Sequence, residues 1–249
     1  MNEVLIILIL FVIGSFAGFV NVMAGGGSAI TLPVLIFLGL DSAIANGTNR
    51  VAILIQNFSA VTSFRKAQVS QFRLSMKMSV LTLPGAIIGA IAAVKISNDL
   101  FQKILGGVMI FIIISMLFPK AKNAVNRKFT EKLPWTIYPA MFAIGFYGGF
   151  VQVGVGFILM AALHYLMKLE LLYVNMHKVF IVLIYTIPAM LVFVISGNVN
   201  WLYGLSLAAG NATGAWWSAK YSVKKGDKVI KIVLAVAVFF MSLKLFGVF

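Results

Sequence analysis

Asn21-Val22-Met23-Ala24-Gly25-Gly26-Gly27-Ser28 sits in the middle of an uncharged stretch that runs from Val4 to Leu40. A bilayer core takes about 20 apolar residues per helical crossing, so the stretch is too long for one crossing, and the triple glycine is where it divides. Beyond Gly27 only Ser28 to Leu40 remains before Asp41, roughly 20 Å of helix and less than a full span. The sequence therefore predicts a membrane helix followed by a short or re-entrant one. Lipid offers no hydrogen-bond partner, so the interrupted backbone must face protein or a water-filled cavity.

Uncharged or nearly uncharged runs recur from Met78 to Val94, Ile104 to Pro119, Leu133 to Met167, Val179 to Ala219 and Ile232 to Leu243. The chain is 61% hydrophobic, well above ordinary globular composition. Together these predict an all-α, polytopic membrane protein of about eight to ten transmembrane or re-entrant helices, with no soluble domain. Leu133 to Met167 is again too long for one crossing and glycine-rich at its centre, and it predicts a second helix plus short segment. The opening Met-Asn-Glu has no basic n-region, which argues against a cleaved signal peptide. With no cysteine, disulfides, thiolate metal sites and cysteine nucleophiles are excluded.

The net charge of +14 arises from 20 Lys and Arg against 6 acids. Most of these cations lie between apolar segments, where they mark cytoplasmic loops and not a nucleic-acid surface. Clusters at Arg65 to Lys77, Lys120 to Lys132 and Lys220 to Lys231 are placed inside, with the Lys168 to Lys178 link. The uncharged turn Ser196 to Asn200 and both termini then fall outside.

An internal repeat follows from ordered matches. Gly14-Ser15-Phe16-Ala17-Gly18-Phe19-Val20-Asn21-Val22 falls against Gly145-Phe146-Tyr147-Gly148-Gly149-Phe150-Val151-Gln152-Val153. Thr48-Asn49-Arg50-Val51 falls against Met176-His177-Lys178-Val179, and Gly85 to Gly89 against Gly210 to Gly214. The charge pattern sends the helix after Arg50 inward and its counterpart after Lys178 outward. The expectation is two inverted repeats, residues 1–119 and 133–249, joined by the basic loop 120–132. Repeats of this kind, with interrupted helices, belong to transporters whose site lies near the midplane between the halves.

Several polar groups could form that site. Glycines at 25 to 27 permit close approach of an anion to backbone N–H groups, Ser28 could cap the next helix, and the helix N-terminus supplies a positive dipole end. The alternative reading of glycine is close helix packing, preferred here for Gly14, Gly18, Gly85, Gly89, Gly106, Gly107 and Gly145. Asn46-Gly47-Thr48-Asn49-Arg50 and Asn175-Met176-His177-Lys178 each open a long apolar segment, where an ionisable residue points to function, or else snorkels to the interface. His177 is of a residue type that titrates near neutrality and is the candidate proton carrier, while His164 reads as a hydrogen-bonded packing residue. The six acids lie at or near segment ends, so neither a hydrolytic carboxylate pair nor a metal site is expected. An interior with amides, hydroxyls and cations suits an anion.

Gly18 to Pro33 with its Gly-Gly-Gly-Ser, followed by Ala45-Asn46-Gly47-Thr48-Asn49-Arg50 and the repeat from Gly145, resembles the TauE/SafE sulfite-exporter family along essentially the whole chain. The resemblance implies a multi-pass permease of the bacterial or archaeal inner membrane that exports sulfite or small organosulfonates, coupled to protons. Gly25, Gly26, Gly27 and Ser28 match its first glycine motif, and Thr48, Asn49 and Arg50 its second. The second half departs from the pattern: Gly154-Val155-Gly156-Phe157 replaces a fuller glycine run, and Met176-His177-Lys178 a small-Thr-Asn stretch. The expected substrate-binding set is therefore Asn21, Gly25, Gly26, Gly27, Ser28, Thr48, Asn49, Arg50, Gln152, Gly154, Gly156, His177 and Lys178. No cofactor, metal, catalytic residue or nucleic-acid partner is expected. An anion channel is the alternative, and a membrane-embedded enzyme a more distant one.

Overall fold

The computed structural model describes residues 2–69, 71–117 and 133–221, and among them every regular element is a helix. The first five are α1 (Glu3–Ala24), α2 (Ser28–Phe37), α3 (Ser42–Lys66), α4 (Phe72–Lys95) and α5 (Asn98–Leu117). After residue 132 come α6 (Ile137–Phe150), α7 (Val155–Tyr165), α8 (Leu171–Ile195) and α9 (Trp201–Tyr221). The basic loop expected at 120–132, most of the Lys220 cluster and the apolar run Ile232 to Leu243 lie outside the described residues.

Among the described residues, Glu3–Val22, Phe72–Lys95 and Leu172–Ile195 are long and apolar enough to cross a membrane. α3 has the length, at 25 residues, but carries Asn46, Thr48, Asn49, Arg50, Gln56 and Asn57, all buried. Lipid would leave such groups unpaired, so this helix belongs to the interior of the bundle. The breaks fall where the glycines predicted. α1 ends at Gly25, whose φ of 83° is left-handed, and α2 is a short helix of 10 residues. α6 and α7, with 14 and 11 residues, are both short of a full span of about 20 residues.

Two expectations are corrected here. Arg50 and the stretch Asn175 to Lys178 do not begin helices: α3 starts at Ser42 and α8 at Leu171, so these residues lie within a helix that is already running. The Lys168 to Lys178 link is accordingly mostly helix. Ser28 does not cap α2, whose N-cap position is held by Gly27 with no side-chain cap bond.

The packing is unchanged in kind when the helices before and after the loop exchange places. α1 packs along α9 as α6 packs along α4, α3 touches α9 as α8 touches α4, and α2 lies on α3 as α7 lies on α8, with α3 and α8 in contact at the centre. Glycines set the closest approaches. A Cβ at Gly14 would lie 2.6 Å from Leu207 O, one at Gly18 2.8 Å from Asn211 Cα, and Cβ atoms at Gly85, Gly89 and Gly145 would likewise strike backbone of the facing helix. This is the backbone-to-backbone contact that small residues allow in membranes. Gly107 is different, since no described atom lies within 4 Å of its Cβ position.

Candidate functional site

The two helix breaks meet. A Cβ at Gly25 would stand 2.7 Å from the carbonyl carbon of Gly156, and one at Gly156 2.6 Å from Gly25 Cα, so the turn after α1 lies on the first turn of α7 with nothing between them. Beside this contact is a small cavity lined by Asn21, Ser28, Ile53, Asn57, Gln152, Val155, Gly156, Lys178 and Val182. It admits about one water molecule. Five of the residues expected to bind substrate, Asn21, Ser28, Gln152, Gly156 and Lys178, come together there from α1, α2, the α6–α7 turn, α7 and α8.

Its polarity has identifiable sources. Ser28 opens α2, and Val155 and Gly156 open α7, so both short helices turn their N-terminal ends toward it. Such ends carry about half a positive charge and present backbone N–H groups. Lys178 is 3% exposed, and its Nζ donates to Asn21 O at 3.3 Å, Val22 O at 3.1 Å and Asn175 Oδ1 at 2.9 Å. Gln152 has a φ of 65°, and its Nε2 donates to Thr186 Oγ1 at 3.2 Å. Asn57 Nδ2 donates to Ile53 O one turn back, at 2.7 Å, an intrahelical bond that leaves the amide oxygen for other use. Among the described residues, no carboxylate lines the cavity.

The remaining expected residues are placed elsewhere. Arg50, fully buried, reaches across to the end of α6: its guanidinium donates to Gly148 O at 3.1 Å and to Gly149 O, and stacks 4.7 Å over the Phe193 ring. Asn46 Nδ2 donates to Phe150 O at 2.6 Å. Three last-turn carbonyls of α6, which have no intrahelical partner, are thus satisfied by α3. Lys178 of α8 performs the same service for Val22 O in the last turn of α1, and adds a second donor to Asn21 O, which already accepts from Gly25 N. Each interrupted helix is therefore closed at its negative end by a cation from the long helix of the other half, a pairing that helix dipoles favour.

Thr48 Oγ1 accepts from Asn200 N at 2.9 Å and Asn49 Oδ1 from Thr31 Oγ1 at 2.7 Å, tying α3 to the turn before α9 and to α2. His177 does not line the cavity. Its Nδ1 is 2.7 Å from Ser75 Oγ and its Nε2 donates to Gln71 Oε1 at 3.0 Å, both at the start of α4. His164 Nδ1 lies 3.0 Å from Leu169 O, in keeping with a packing role. Gly154 turns the chain into α7 with a φ of 73°.

The glycines of the first break are tightly packed. A Cβ at Gly27 would collide with Ala17 O and come within 2.7 Å of Asn21 Cβ. The space is filled by α1 backbone, so Gly25 and Gly27 serve the approach of the breaks to their neighbours. Ile53, Val155 and Val182 were not expected at the site; being apolar, they carry no local mark that separates them from packing residues.

Comparison with known proteins agrees with this architecture. The profile of the family described as Sulfite exporter TauE/SafE matches residues 10–245. A probable membrane transporter protein of Sinorhizobium sp, ORF9, is 27% identical over 238 residues, covering 95% of this chain and 90% of its own. A probable membrane transporter protein of Haemophilus influenzae is 27% identical over 95% of this chain and 93% of its own length, and YunE of Bacillus subtilis 26% over 95% and 96%. No solved structure matches the chain significantly. With interrupted helices, a bundle of membrane-crossing length and a profile match over nearly its whole sequence, the chain belongs to the sulfite exporter TauE/SafE family of multi-pass membrane transporters.

Proposed function

We propose that the chain is a permease for small oxyanions, sulfite or a small organosulfonate, and that the cavity between the α1–α2 and α6–α7 breaks is its binding site. The observation that supports this most is the convergence of the α2 and α7 N-terminal ends with Lys178, Asn57 and Gln152 on a cavity that no carboxylate lines among the described residues. The fixed dipole ends and the Lys178 ammonium favour negative charge. The one-water volume represents a closed state, so loading requires α1 and α2 to separate from α6 and α7.

The exchangeable packing supports two inverted repeats, 1–119 and 133–249, with the site near the membrane midplane. Coupling to protons then runs by one of two routes: through His177 at the α4–α8 contact, or on the substrate itself as hydrogen sulfite. Purified protein in proteoliposomes, loaded in turn with sulfite, sulfoacetate and sulfate, tests the reading. Saturable sulfite or sulfoacetate flux that an opposing pH gradient alters supports a coupled permease. Flux that never saturates would make it an anion channel, and no flux of any of the three would remove the oxyanion reading.

A further inference from the structure

A second, larger cavity lies on the outside of the bundle, where α4 begins and α6 begins. It has a volume of about 700 Å³ and is lined by Arg73, Met76, Lys77, Val80, Leu81, Leu133 and Tyr138, within the usual size of ligand sites. On α4 the residues 73, 76, 77, 80 and 81 recur at helical spacing and so share one face. That face changes character along its length. Arg73 and Lys77 stand a turn apart at the basic end, and Met76 at 45% and Val80 at 52% exposure continue it as apolar surface, followed by Ile87 and Ile88.

The facing helix is graded in the same direction. Tyr138, Phe142 and Phe146 recur every fourth residue along α6, all exposed, while α4 and α6 are held in contact by the Gly85 and Gly145 approaches. The result is a shallow groove with two cations and a phenol at its head and aliphatic and aromatic walls below. Among the described residues neither Arg73 nor Lys77 has an ion-pair partner, and none of those that line the groove is an acid.

We propose that this groove binds an anionic phospholipid, its headgroup phosphate held by Arg73 and Lys77 and its acyl chains laid along Met76, Val80 and the α6 aromatics. A free inorganic anion would use the cations but not the exposed apolar stripe, which continues for several turns. A zwitterionic lipid would use the stripe but leave net positive charge uncompensated. Arg73 and Lys77 belong to the basic cluster placed on the cytoplasmic side, the leaflet in which anionic lipids draw Lys and Arg to the surface. The register that sets Gly85 on Gly210 sets Arg73 on Asn198 and Lys77 on Leu202, so the counterpart groove in the other half has no cationic head. One such lipid per chain is expected.

The test is native mass spectrometry of the full chain released from mixed micelles holding equal amounts of phosphatidylglycerol and phosphatidylcholine. The expected result is one retained phosphatidylglycerol, preferred by on the order of tenfold, as two surface cations imply. Arg73→Gln with Lys77→Gln should bring the preference close to unity, each single change should lower it part of the way, and Arg65→Gln should leave it intact. Millimolar inorganic phosphate should not displace the lipid. No preference in the unmodified chain, a preference that survives the double change, an equal loss in Arg65→Gln, or displacement by phosphate would each overturn the proposal. Should the double variant fail to fold, the two single variants decide, because both side chains are exposed.

Discussion

Removing the guanidinium that closes α6 should damage the fold before it damages recognition. In Arg50→Met the carbonyls of Gly148 and Gly149 lose their donors, and Phe193 loses the cation stacked 4.7 Å above its ring. Two buried charge-assisted hydrogen bonds at about 1.5 kcal/mol each and a cation–π contact of about 1 kcal/mol put the loss near 4 kcal/mol. For a chain of this size that corresponds to a fall of on the order of 10 °C in the unfolding midpoint. Arg50→Lys should recover more than half of it, since Lys178 closes α1 with an ammonium in the equivalent place. The assay is thermal unfolding in detergent, followed by intrinsic fluorescence, alongside equilibrium binding of sulfite. A stable Arg50→Met protein with its binding abolished would refute this reasoning, because Arg50 would then be a ligand of the substrate and not a closure of the helix.

Gly27→Val should fail to fold or lose most of its thermal stability, because its side chain meets Ala17 backbone; a folded variant lacking only affinity would support an open anion cradle. Asn57→Leu fills the cavity at the expense of one local hydrogen bond within α3, so sulfite exchange should drop at least tenfold with the unfolding midpoint moved by only a few degrees. Unchanged exchange would place the substrate elsewhere. His177→Gln should keep exchange but weaken uphill flux driven by a pH gradient. Glutamine still bonds across the α4–α8 contact, whereas His177 can take a second proton while the Ser75 hydroxyl turns from donor to acceptor, with Met176 Sδ, 3.7 Å from Ser75 Oγ, as an alternative acceptor for it. Full uphill flux in that variant would leave the substrate as the proton carrier.

Much of the fold was legible because membrane helices are written in short-range terms. An uncharged run of about 20 residues, a cluster of cations and a triple glycine each report local physics: transfer into lipid, retention at the interface, and the cost of helix at glycine. The breaks at Gly25 and around Gly154, the turn at Ser196 to Asn200 and the packing role of Gly14, Gly18, Gly85, Gly89 and Gly145 all came from such signals. The bounds of α3 and α8 did not, because Asn46 to Arg50 and Asn175 to Lys178 look too polar to continue a membrane helix until other helices are known to surround them.

The site divides along the same line. The amino-acid sequence by itself determined that polar amides, cations and glycines accumulate at the two breaks and that carboxylates do not. It could not say which polar group faces which, since a hydrogen bond across the bundle depends on packing between residues 98 to 157 positions apart. Only the tertiary structure turned Arg50 and Lys178 toward carbonyls of the opposite half, moved His177 to the start of α4, and brought Ile53, Val155 and Val182 into the cavity wall. The reason is that an orphan carbonyl at a helix end is invisible in sequence, and its demand for a donor is met by whichever helix the fold lays against it.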